Sequence, residues 1–202
     1  MKKIINLPNM LILFCIADIL ISYLMGLNKI FANLLLISMP IRLMTPLLFI
    51  ILLIRTVINI LKKKPYKKEA IVLLLSFLLF GLILPKAFYL GAYTSLKIAN
   101  ENKVLFEAKN LIESHKAYFK KEKEKKSFPP QKEIPEEELP IAIKKLSPVW
   151  VRVYENMVVI KKIGLGDVEG FLISPYRKLD DVRKVSNGIY WITPVNTIKC
   201  KN

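Results

Sequence analysis

Histidine occurs once in these 202 residues and cysteine twice. The single His115 leaves no second imidazole for a zinc site, and neither cysteine has a metal-ligand neighbour. Cys15 lies inside the first apolar run and Cys200 in the polar half. One in lipid and one in water cannot reach the short Cα separation that a disulfide needs. No Gly-x-Ser-x-Gly elbow is present for a serine nucleophile. The one glycine cluster, Gly164-Leu-Gly-Asp-Val-Glu-Gly170, looks like a nucleotide loop, but its last glycine comes one residue late. It also joins two expected strands, whereas that fingerprint opens a helix, so it reads as a hairpin loop. Glu136, Glu137 and Glu138, like Asp180 and Asp181, are adjacent acids that read as solvated surface groups. His115 falls on an apolar helix face, where it reads as structural. The expectation is no enzyme, with no catalytic residue, cofactor or metal.

Acids are nearly missing from one half of the chain. Between Leu11 and Leu96 the only two are Asp18 and Glu69, whereas 97–202 holds 14 acids and 21 bases. With 53% of residues hydrophobic and 24% charged, the two classes are segregated, and the halves suit different solvents. The net charge of +16 comes without a nucleic-acid recognition motif. Lysines crowded beside apolar spans set membrane topology instead.

Three apolar runs follow one another. The first is 10–27, about 27 Å as a helix and close to a hydrocarbon core. Lys2 and Lys3 precede it, but no small-x-small site closes it, and Phe14 stands where a lipoprotein signal needs a small residue before Cys15. It reads as an uncleaved span. The second stretch, Ile30 to Leu61, is too long for one upright helix and contains Pro40, Arg42 and Pro46. The favoured span is 41–61, with Ile30 to Met39 as a short interfacial helix; a span from Asn33 to Ile54 is the alternative. The third run is 70–90, kinked near Pro85, with Lys86 snorkelling and Phe88, Tyr89 and Tyr93 as an aromatic belt.

Lys62, Lys63, Lys64, Lys67 and Lys68 fall in the loop between the second and third runs, while the loop before the second carries only Lys29. Positive residues stay cytoplasmic, so the lysine loop and the amino terminus are expected inside, and the part after Leu96 outside. The expected location is the bacterial inner membrane, multi-pass, with a periplasmic or extracellular carboxyl-terminal domain. The lysine loop also attracts anionic lipid.

Asp18 lies near the bilayer centre, where a lone acid costs about 2.5–3.5 kcal/mol on insertion scales. Arg55 is the expected partner, roughly 10 Å deep from the same face. Such a pair is read as a packing clamp or an oligomer contact in preference to a proton path, since a relay needs more polar stations.

In 97–202 the residues Val104, Leu105, Ala108, Leu111, Ile112, His115, Tyr118 and Phe119 recur at three- and four-residue spacing. This predicts a long amphipathic helix continuing the third span as a stalk. Pro135 to Leu146 reads as a second, short helix, acidic at its start and basic at its end. About four strands follow, at Val149–Tyr154, Met157–Ile163, Gly170–Ser174 and Ile189–Thr193, with turns at Glu155-Asn156 and Asn187-Gly188. The fold class is therefore three transmembrane helices (1–96) followed by a small α+β domain (97–202), its long helix packed on an antiparallel sheet.

The run Leu139-Pro-Ile-Ala-Ile-Lys-Lys-Leu-Ser-Pro148, with Val151-Arg-Val153, Val158-Val-Ile160, Gly170-Phe-Leu-Ile-Ser-Pro175 and Gly188-Ile-Tyr-Trp191, resembles short, uncharacterised bacterial envelope proteins over about 55 residues. The resemblance implies an envelope protein and brings no active site. A helix leading into a sheet is also loosely similar to pilin-like domains, although no pilin processing site precedes the first span. The functional expectation is a non-enzymatic protein-interaction module, such as an immunity protein against a membrane-targeting toxin. The alternative is a structural or accessory subunit of a secretion, pilus-related or other envelope assembly. Expected partners are the lipid bilayer, another membrane or periplasmic protein, and a second copy of the chain, with no nucleic acid.

Overall fold

The structure, a computed structural model, describes residues 6–124, 130–162, 169–180 and 182–193. The chain divides into two compact units, Met1–Met25 with Phe31–Gly91, and Gly26–Ile30 with Ala92–Asn202. The division therefore falls a few residues before the expected boundary at Leu96, and the segment after the first helix belongs with the second unit.

The first unit is built on three apolar helices long enough to cross a membrane, Leu7–Leu27, Met39–Leu61 and Lys67–Ala99. In α1 (Leu7–Leu27) the buried positions Pro8, Leu11, Cys15, Asp18, Ser22 and Met25 alternate three and four apart, with Gly26 buried beside the last. That spacing draws one seam along a helix. Leu11 and Cys15 pack there with Leu48, Leu52 and Leu73. Leu13, Ile16 and Leu20 on the other side are exposed, the reverse of a water-soluble helix.

A 3-10 turn, Lys29–Asn33, leads into α2 (Leu34–Leu61), which runs unbroken through Pro40 and Pro46. The expected separate interfacial helix at Ile30 to Met39 is thus replaced by a short turn and the first turns of α2. A proline removes one backbone donor, and an apolar helix continues when neighbouring groups take up the strain. Thr45 Oγ1 donates to Ile41 O at 2.9 Å, one residue before the Arg42 carbonyl that Pro46 leaves without its helical donor. A tight turn at Lys62–Lys64 closes α2: Lys64 N donates to Asn59 O and Lys63 N to Ile60 O, with Lys63 at φ 54°. This is the paired-bond termination that glycine usually completes.

α3 (Lys67–Leu78) passes through a π-turn, Leu79–Ile83, into α4 (Leu84–Ala99). The wider turn stands immediately before Pro85, whose missing N–H would otherwise leave a gap in the ladder. α4 does not continue as a stalk. Asn100 takes φ 68°, and its side chain accepts from Asn102 N (3.2 Å) and Lys103 N (3.5 Å) to start α5 (Glu101–Ser114). A short side chain that tolerates positive φ and caps the next helix is a break between helices. His115 breaks the run again before α6 (Lys116–Glu124).

The second unit holds six antiparallel strands in the order β1-β2-β3-β4-β6-β5. They are β1 (Lys132–Ile134), β2 (Trp150–Val153), β3 (Val158–Lys161), β4 (Gly170–Ile173), β5 (Arg183–Ser186) and β6 (Ile189–Ile192). The four expected strands are β2, β3, β4 and β6. The two missed are the edges, three and four residues long and polar, with no alternation to reveal them. Pro140 divides the expected second helix into a 3-10 turn, Glu136–Glu138, and α7 (Ile141–Lys145). Register aligns Val151, Ile160, Phe171 and Trp191 across one face. Val159, Leu172, Tyr190 and Ile192 are buried on the opposite face with Val182 from the following loop. Gly170 is required where β3 and β4 meet, since a Cβ there would lie 2.1 Å from Ile160 O. Gly164 and Gly166 of the expected loop lie outside the described residues.

Candidate functional site

Two polar knots interrupt the apolar seam of the first unit. Asp18 is fully buried, and its Oδ1 accepts from Arg42 Nε at 2.9 Å. Arg42 also donates through a second nitrogen to Ser22 Oγ at 2.9 Å. Ser22 stands one helical turn beyond Asp18, so one guanidinium serves two groups on one face. Among the described residues, Asp18 Oδ2 is buried without a hydrogen-bond partner. Within the second knot, Glu69 Oε1 accepts from Arg55 Nε at 2.9 Å, and Oε2 accepts from Asn59 Nδ2 at 2.9 Å and Thr56 Oγ1 at 3.4 Å.

The expected Asp18–Arg55 pair is therefore not formed. Each residue pairs, but with a different partner. Arg55 and Glu69 flank the hairpin joining α2 to α3, so chain connectivity already brings them together. Asp18 is then left to Arg42. Depth along the helix axis, on which the expectation rested, does not record which face a side chain occupies. Asp18 and Ser22 at a four-residue interval were the available signal for Arg42.

Lys62, Lys63, Lys64, Lys67 and Lys68 are all exposed at the α2–α3 hairpin. His115 sits at the α5–α6 break, its Nδ1 2.8 Å from Leu111 O and its ring against Phe119. Both contacts are structural.

Sequence reasoning passed over Lys162. It follows β3 on the same parity as Val158 and Ile160, which was the signal for an inward position. Its side chain is buried, and Nζ donates to Leu146 O, to Ser95 Oγ at 3.2 Å and to Leu27 O at 3.4 Å. Ser95 gives its own proton to Ala92 O at 2.7 Å, so it is an acceptor toward the lysine. Three donors thus meet three acceptors, the inventory of an ammonium. Leu27 and Leu146 end helices, where carbonyl dipoles favour a cation. Against this, burial pushes the Lys162 pKa down to about 7.

The second unit also carries a groove of about 320 Å³ lined by Ile134, Pro135, Leu139, Pro148, Val149 and Trp150, with Glu133 and Glu136. Val149 is 52% exposed. Arg152 stacks on the Trp150 ring at 4.4 Å and donates to Glu133 at 3.1 Å. Lys29 pairs with Glu136 at 2.6 Å and holds its carboxyl below the usual range. Glu107 accepts from Ala142 N (2.8 Å) and Ile143 N (3.0 Å), which fixes α7 beside α5. Among the described residues, no group of three or more His, Cys, Asp or Glu is placed to hold a metal. Compared with known proteins, the chain matches no protein-family model, no curated protein and no solved structure.

Proposed function

We propose that the chain is a three-span bacterial inner-membrane protein whose outer domain binds another protein, in its sharpest form as immunity against a membrane-targeting toxin. The observation that carries the reading is the groove beside Trp150. Ile134, Leu139, Val149, two prolines and the Trp150 ring line it together with Glu133 and Glu136, and ion pairs engage Arg152 with Glu133 and Lys29 with Glu136. Rigid apolar concavities with an aromatic anchor are where protein partners bind most strongly. The remaining polar groups at hand hold the fold: Glu107 caps α7, and Lys162 bonds three main- and side-chain oxygens.

The second reading is a subunit of a secretion, pilus-related or other envelope assembly. The sheet edges disfavour the version built by strand addition. β1 has three residues between Pro130 and Pro135, and β5 presents Arg183 and Lys184 with an irregular register. Short, charged or proline-flanked edges resist an added strand.

Affinity purification of the full-length protein from detergent tests the groove. A co-purifying protein is expected with the unaltered chain and is expected to fall at least tenfold with Trp150→Ala or with Val149→Glu. The exposed Val149 position guards against simple misfolding. Deletion is expected to harm only cells facing siblings armed with the cognate toxin. Defects in secretion or adhesion without a competitor would favour the assembly reading, and recovery of the protein alone would sink both.

A further inference from the structure

The α2–α3 hairpin places five exposed lysines within seven positions, Lys62, Lys63, Lys64, Lys67 and Lys68, and no ion pair engages them among the described residues. The acid closest in sequence, Glu69, is buried and already holds Arg55, Asn59 and Thr56, so it does not offset their charge. α3 starts at Lys67 without a side-chain cap from Tyr66. The start of α3 thus brings the positive end of its helix dipole to the lysines, with no Tyr66 side chain taking its first N–H groups. Lys63 sits at φ 54°, a position where glycine is the unstrained choice, yet the residue there is a fifth cation. The hairpin interrupts two apolar helices just after Leu61 and before Ala70. When these helices span a bilayer, that is the depth of the lipid headgroups.

We propose that this hairpin is a binding surface for the headgroups of anionic phospholipids in the membrane that the helices cross. The lysine ammonium groups take phosphate oxygens, and the uncapped N–H groups of α3 add donors to the same anion. Zwitterionic lipids carry the same phosphate with a compensating cation, so the fivefold positive cluster discriminates by net charge. The inference rests on the membrane-spanning reading above.

The test uses the full-length protein in a neutral detergent, supplied with equal phosphatidylglycerol and phosphatidylcholine of matched chains and examined by native mass spectrometry. Retained phosphatidylglycerol is expected to exceed phosphatidylcholine about tenfold, and the excess is expected to shrink with added salt. Lys67→Gln with Lys68→Gln, and separately Lys62→Gln with Lys64→Gln, are expected to cut the excess at least fivefold. Lys120→Gln with Lys121→Gln is expected to leave it unchanged. Equal retention of the two lipids overturns the proposal, as does an excess that both hairpin variants keep. Displacement of the lipid by millimolar inorganic phosphate also overturns it, since the site would then be one for a free anion. The membrane reading fails separately, if alkaline carbonate strips the protein from membranes.

Discussion

Lys162 shows how one side chain can be read twice from the same surroundings. Its three acceptors and two helix ends favour the ammonium, while burial favours the neutral amine and sets the pKa at about 7 against an ordinary 10.5. Because the folded-state value is depressed, the unfolded chain holds a proton that the folded chain loses between about pH 7 and 10.5. Stability of the domain therefore rises with pH across that window and is lowest below it. One proton corresponds to a slope of at most about 1.4 kcal/mol per pH unit. Unfolding of the full-length protein in detergent, followed by the fluorescence of Trp150 and Trp191, is expected to show this slope. Lys162→Met is expected to remove it, and parallel pH profiles for the two proteins would refute the depressed value. The parity of Lys162 in β3 was visible in the sequence. Its acceptors were not, because Leu27 and Ser95 lie 135 and 67 positions away.

At the scale of elements, helix boundaries were less legible than helix existence. The hydrophobic runs marked all three long helices, yet Pro40 and Pro46 suggested a break that α2 does not make. Near Pro85 the helix is irregular as a π-turn on its amino-terminal side. Conversely, Asn100 ends α4 without any proline or glycine, through a backbone angle and a cap. The polar knots between helices are the testable consequence. Arg42→Leu leaves the fully buried Asp18 without its cation and is expected to lower the unfolding midpoint clearly, with Arg42 itself 41% exposed. Arg55→Leu is expected to cost less, since Glu69 keeps Asn59 and Thr56. Asp18→Leu combined with Arg42→Leu is expected to recover most of the loss. Detergent-unfolding midpoints of the three variants decide the matter, and a double variant no more stable than Arg42→Leu alone would count against the Asp18–Arg42 pairing.

At the scale of the whole molecule, we expect the amino terminus and lysine hairpin in the cytoplasm and the sheet domain outside, from the asymmetry of lysines between the loops. Alkaline phosphatase joined after Pro65 is expected to be inactive and after Asn187 active, with a fluorescent reporter showing the reverse. The same signal at both sites would rule out this topology. The segregation of acids from apolar runs determined, without any structure, that the chain has two kinds of surface and three helices of spanning length. Short β-branched and aromatic runs between turn signals marked the four inner strands. The tertiary structure alone decided the partners: Asp18 with Arg42, Arg55 with Glu69, Lys162 with two helix ends, and the edge strands β1 and β5. The physical reason is one of range. Hydrophobic period and turn chemistry act between near neighbours in the chain, whereas a polar contact depends on which faces of distant elements are brought together.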